Sequence, residues 1–306
     1  MVKTLTLLVL LWAIPLTSAA AEAKIEDTIE NAASFPILKG PYFGQTPPGL
    51  TPEVFAAGIV SVDGRYEGGV SFSADFNEMY FSATVKGHSI VYFSTLENQH
   101  WTQPIKANFT QGKVADEFSP FASLSGNRIY FSTYDSSYPL KIWYVNRLDN
   151  AWSKAILLDS PLNKEEVIMS SEAQNGDLFY INSSKRKMYY ALNNNNQFAE
   201  GQDVGIEYGS HGFISPSQDF LVVDAHKDND ETKDKDIYVY FKQQDGTWSK
   251  PINLGSTVNS NFREGSPTIT PDGKYLFFNR YDEKSGNPNI YWVSTDIITE
   301  LKKTNF

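Results

Sequence analysis

Five glutamates and one histidine are the residues of this sequence best placed to do chemistry. Glu67, Glu117, Glu166, Glu207 and Glu264 recur at intervals of 50, 49, 41 and 57 residues, each just before a short apolar stretch. If those intervals set them round one opening, three roles are available. The ring could hold a hard cation such as Ca²⁺ through oxygen ligands. Two of its members could act as the acid/base or nucleophile pair of a glycosidase. A residue repeated in every unit could instead hydrogen-bond backbone amides and hold the units together. His211 breaks the pattern. Aligning Ser215-Pro216 with Thr270-Pro271 sets it where the other units carry Gly69, Ser119, Ile168 and Ser266. His211 and Glu207 are therefore candidates for a base or metal-ligand pair, the alternative being a lone histidine hydrogen-bonded to water. Asp228, Asp230 and Asp234 stand in the densest acidic run. They could wrap calcium, but without the glycine-bearing EF-hand spacing they also read as a solvated hairpin loop.

Composition removes whole classes of activity. With no cysteine among 306 residues, disulfides, zinc–cysteine sites and thiol nucleophiles are excluded. The 36 Asp+Glu against 26 Lys+Arg argue against nucleic acid as a partner, since phosphate binding needs a basic surface. No G-x-S-x-G elbow, P-loop, H-E-x-x-H or dinucleotide fingerprint is present. The start, Met1 to Ala21, has Lys3, an apolar stretch from Leu5 to Pro15 and then small residues. That is the pattern of a cleaved secretory signal peptide, and its apolar run falls short of the ~20 residues a membrane span needs. Cleavage would remove Lys3 and no acid, so the formal charge of −10 becomes −11. No later stretch is apolar enough to span a bilayer. The expected location is the periplasm or outside the cell.

The elements that must position these residues repeat with them. Each unit runs from an acidic residue through a short strand, a turn and two strands of alternating aromatics, and most end with a tryptophan. Examples are Met79-Tyr-Phe-Ser, Ile129-Tyr-Phe-Ser, Phe220-Leu-Val-Val and Tyr275-Leu-Phe-Phe. Period-two alternation rich in Tyr, Phe, Val and Ile is strand composition, and Asp-Gly, Ser-Gly, Asn-Gly or Pro-Ser supplies the turns. A period near 50 is that of a four-stranded propeller blade. The expected fold is an all-β propeller of five blades. The fifth unit lacks its outer strand. The segment Pro52–Ser61 resembles the outer strand of the fourth and is expected to close the ring, leaving residues 22–51 as a leader and 52–306 as one domain.

The Pro271-Asp-Gly273 turn, the Glu-x-x-Pro pattern at 264–267 and 117–120, and Ile-Tyr at 237–238 and 290–291 resemble the WD40-like PD40 repeat. That repeat belongs to the TolB-type propellers of exported bacterial proteins. The resemblance implies a propeller, with six blades as the alternative count, and a Tol-like envelope interaction as one possible role.

Strand topology sets the glutamates round one channel mouth. The expected ligand surface is Tyr66, Glu67, Glu117, Tyr134, Glu166, Tyr208, His211, Arg263 and Glu264. Carboxylates, arginines and tyrosines together suit a polar ligand, either a glycan or a peptide or protein segment. The first expectation is a monomeric binding or scaffold module needing no cofactor beyond a potential Ca²⁺. The second is a carbohydrate-active hydrolase or lyase using the same face.

Overall fold

The structure is a computed structural model, and it describes residues 35–306 apart from 137, 150, 196 and 283–286. The expected signal peptide and residues 22–34 of the expected leader lie outside the described residues. Residues Ile37–Phe306 form one compact unit, a five-bladed β-propeller of antiparallel sheets. From the axis outward, the first three strands of blade 1 are Tyr66–Phe72, Glu78–Val85 and His88–Glu97. Those of blade 2 are Asp116–Ala122, Arg128–Asp135 and Tyr138–Leu148. Blade 3 has Val167–Glu172, Leu178–Asn182 and Lys187–Ala191. Blade 4 has His211–Ile214, Phe220–His226 and Lys235–Phe241. Blade 5 has Arg263–Ile269, Tyr275–Asp282 and Asn287–Ser294.

The ring closes as the repeat count requires. Glu53 and Val54 pair antiparallel with Trp292 and Tyr291, adding the fourth strand of blade 5. Phe55 follows, donating its N–H to the Ile290 carbonyl at 2.8 Å. Its ring is fully buried against Phe72, Phe277 and Trp292. The preceding turn reinforces this joint: Tyr42 and Phe43 are buried, and Phe43 stacks on Trp101 with centroids 4.6 Å apart. The C-terminal helix Asp296–Asn305 was not foreseen. It buries Ile297 and Ile298 in the core cluster that runs through blades 2 to 5.

One local device recurs between the first two strands. Ser73, Ser123, Ser215 and Thr270 each turn a hydroxyl back to accept the amide of Glu78, Arg128, Phe220 or Tyr275, at 2.9–3.2 Å. A second device joins blades. The innermost strands of blades 1, 2, 3 and 5 each carry a bulge. There Gly69, Ser119, Met169 and Ser266 adopt left-handed backbone. A side chain from the preceding blade's second strand accepts the bulge amide: Ser82 from Ser119 at 2.8 Å, Ser132 from Met169 at 3.0 Å, Asp224 from Ser266 at 3.0 Å. Three bulged residues are not glycine and bear the cost of the left-handed region. Gly69 has a steric reason to be glycine as well, since a Cβ there would lie 3.2 Å from the Ser119 Cα. Blade 4 alone has no bulge, so His211 pairs directly with Asp224.

Candidate functional site

The repeat glutamates divide into two groups. Glu67, Glu117 and Glu264 are buried. Each turns its carboxylate back to the connection leading into its own blade. Glu117 accepts from the amides of Phe109 at 3.0 Å and Thr110 at 2.7 Å, and from the Thr110 hydroxyl at 2.5 Å. Glu67 accepts from Arg65 Nε at 2.6 Å and the Val62 amide at 3.3 Å. Burial dominates there and pushes the Glu67 carboxyl up to about 7, against the opposing pull of Arg65. Glu264 takes the Ser260 hydroxyl at 2.5 Å and Arg280 Nε at 2.8 Å, and burial raises its carboxyl too. These three carboxylates are engaged within the fold.

Glu166 and Glu207 are exposed, and Glu207 pairs with Lys250. The five therefore do not form one ring of equivalent groups. The connections into blades 3 and 5 also carry buried asparagines, Asn163 and Asn259. Asn163 exchanges hydrogen bonds with the Ile142 backbone at 3.0 and 2.7 Å, and Asn259 does so with Ile237 at 2.8 and 3.0 Å.

The remaining predicted residues lie at the same end of the propeller. Tyr134 is 54% exposed and Tyr66 46%. The Tyr66 hydroxyl accepts Asn279 Nδ2 at 3.1 Å. Arg263 is exposed. Tyr208 sits edge-on to Tyr238, 5.6 Å away. Burial first, and then Tyr238 and Glu207, push its hydroxyl up to about 12. In the acidic run, Asp228 pairs with Lys233 at 2.7 Å and Asp230 accepts from Thr232 at 2.7 and 3.0 Å. Asp234 offers its backbone carbonyl to the Lys227 amide at 3.0 Å. Among the described residues, no three His, Asp or Glu side chains converge as a metal site.

His211 is where side chains gather. A groove of about 630 Å³ opens between blades 3 and 4, with Tyr208, Ser210 and His211 on one wall and Lys185, Arg186 and Lys187 on the other. His211 Nδ1 lies 2.6 Å from Asp224 Oδ2. An ionised carboxylate only accepts, so Nδ1 carries the hydrogen and Nε2 is left for the groove. Asp224 is 1% exposed and is saturated by three further contacts from blades 4 and 5. Its Oδ1 takes the His211 amide at 3.1 Å and Lys235 Nζ at 3.3 Å, and its Oδ2 takes the Ser266 amide. His211, hydrogen-bonded with Asp224, and buried Lys235 hold that carboxyl well below the usual range despite burial. This constellation is a histidine held in one tautomer by a fixed anion, the arrangement that lets an imidazole act as base or hydrogen-bond acceptor. His226 joins the rim, its Nδ1 donating to the Lys233 carbonyl at 2.6 Å.

Asp224 and Lys235 were not read as functional from the sequence. The signal was there for Asp224: an acid interrupts Phe220-Leu-Val-Val, at the pairing position held by Ser82, Ser132 and Asn279 in other blades. A larger opening, about 950 Å³, lies at the other end of the propeller among the first-to-second-strand turns, with Ala74, Leu124, Gln174, Pro216 and Pro271 contributing. None of the predicted site residues is there.

No protein-family model matches the chain, and no curated protein matches it. Solved structures do. A TolB protein of Agrobacterium tumefaciens aligns at 15% identity over 76% of this chain and 78% of that one, with a TM-score of 0.50. The catalytic domain of a GH62 α-L-arabinofuranosidase from Coprinopsis cinerea aligns at 9% identity over 81% and 98%, with a TM-score of 0.53. The chain thus shares the propeller arrangement of TolB-like proteins, and at these identities the likeness is one of fold.

Proposed function

We propose that this chain is an exported binding module whose groove between blades 3 and 4 takes a polar ligand, a glycan chain. The observation that carries the reading is the His211–Asp224 pair at the groove wall. A fully satisfied buried carboxylate fixes an imidazole whose free nitrogen faces open space beside Tyr208. Sugars are recognised by such pre-set polar groups next to an aromatic side chain, because neither partner loses much freedom on binding. Export rests on the residue pattern of Met1 to Ala21. Among the described residues no helix is long and apolar enough to cross a membrane.

The test is a thermal-shift and calorimetric screen of the protein lacking residues 1–21 against neutral and acidic polysaccharides and unstructured peptides. A glycan should raise the melting temperature. His211→Ala and Tyr208→Ala should each weaken its binding by about 1–3 kcal/mol, the cost of removing a contact at the centre of a site. A shift with peptides alone, or none at all, overturns the reading.

A further inference from the structure

We propose that the groove acts on its ligand: it cleaves a uronate-containing polysaccharide by β-elimination, with His211 as the base and Tyr208 as the proton donor. This rests on the glycan-binding reading above and adds a reaction to it.

The two walls of the groove carry complementary chemistry. On the blade 4 side stand His211, tautomer-fixed by Asp224, and the Tyr208 hydroxyl. On the blade 3 side the turn between the second and third strands places three cations in succession, Lys185, Arg186 and Lys187. Three adjacent cations are conspicuous in a chain with ten more acids than bases. Lys185 and Lys187 are tied to Glu165 and Asp203 at 3.0 and 2.6 Å, whereas Arg186 has no ion-pair partner among the described residues. Arg186 is exposed and its backbone is left-handed, with φ 53°. A carboxylate ligand completes this wall, because guanidinium and carboxylate pair bidentately.

A base facing a carboxylate-binding cation is what elimination from a uronate requires. The hydrogen on C5 of a uronate is adjacent to the sugar's carboxylate. Pairing that carboxylate with Arg186 spreads the charge that builds on C5 and its carboxyl group as the proton leaves. His211 Nε2 takes the C5 proton, and the C5–H electron pair becomes the C4=C5 double bond. The C4–O4 bond breaks with its electrons going to O4, and O4 takes the Tyr208 hydroxyl proton. The products are an unsaturated uronate end and a new hydroxyl end. Imidazolium and phenolate return to their starting states by exchanging one proton with each other or through water, so no co-reactant is consumed. Asp224 touches no substrate and is a positioning residue.

The experiment incubates the protein lacking residues 1–21 with polygalacturonate, alginate and a glucuronate-containing glycosaminoglycan. It follows the ultraviolet absorbance of the C4=C5 double bond, with melting temperature recorded in parallel. At least one polymer should both raise the melting temperature and yield the absorbing product. His211→Gln should lower kcat by about 100-fold or more while retaining a folded melting profile, general acid–base groups commonly contributing ~10²–10⁴. Tyr208→Phe should lower kcat in the same way. Arg186→Gln, a change at an exposed turn, should raise KM for the polymer. Asp224→Asn should lower kcat with KM little altered and shift the pH profile. A uronate polymer that binds but gives no absorbing product overturns the elimination and leaves the glycan-binding reading standing. Product formed equally well by His211→Gln overturns it too. If none of these three polymers binds, the elimination is overturned, and the glycan-binding reading is then decided by the neutral polysaccharides of the screen above.

Discussion

Glutamate at one position of the repeat has opposite fates in different blades, and burial decides which. Glu117 lies beneath the connection into blade 2 and satisfies two of its amides and a hydroxyl, so truncating it leaves buried donors unpaired. Glu117→Ala should cost about 3 kcal/mol in chemical denaturation, whereas Glu207→Ala, which removes only an exposed pair with Lys250, should change stability by no more than about 0.5 kcal/mol. Two buried acids should also pull the pH dependence in opposite directions. The Glu67 carboxyl is raised by burial to about 7 in the fold, so its protonated form is favoured there. Its contribution is complete at acid pH and is lost as pH rises through 7; Glu67→Gln should flatten the fall in urea midpoint between about pH 5 and 8. The Asp224 carboxyl is lowered by His211 and Lys235. Its contribution is complete above about pH 4, the ordinary carboxylate value, and is lost on acidification through the folded value. Asp224→Asn should therefore lower the midpoint at pH 7 more than at pH 3. His211 could be picked out from the sequence because it interrupts a repeat. Asp224 and Lys235 could not be joined to it, because their contact depends on a register between strands that the missing bulge shifts.

At the scale of elements, the strands were legible because their aromatics alternate in every unit. The closing strand was legible from its likeness to Lys250-Pro-Ile-Asn-Leu, though only Glu53 and Val54 of the expected segment pair as strand. What fastens it is Phe55, wedged among Phe72, Phe277 and Trp292. Phe55→Ala should destabilise by about 3–5 kcal/mol, the usual cost of deleting a buried ring. Guanidinium titration of the variant would measure it. The C-terminal helix was less legible: the spacing of Ile297, Ile298 and Leu301 is helical, but ten residues make a weak periodic signal directly after a strand of the repeat. The glutamate ring was over-read for the same reason that made it visible: recurrence in phase fixes a position in the blade but not which way the side chain is buried.

Across the whole molecule the five blades share walls. Ser82, Ser132 and Asp224 each hold the amide of the next blade's bulge, and the core clusters run across several blades. Such coupling predicts a single calorimetric transition for residues 37–306. Phe55→Ala should move that transition down as a unit and should not split off a separate melting of blade 5.

The pairing of residues 53–54 with 291–292 also orders events in time. Its partners are about 240 positions apart, the longest loop this ring closes. By loop length alone, that closure costs about 3–4 kcal/mol more than a short hairpin. A chain emerging from its amino end can complete four blades while the strand that fastens the fifth waits unpaired. The ring cannot lock until Asn287–Ser294 has been delivered. This arrangement is a built-in delay: the segment nearest the amino end is held open until the trailing end arrives.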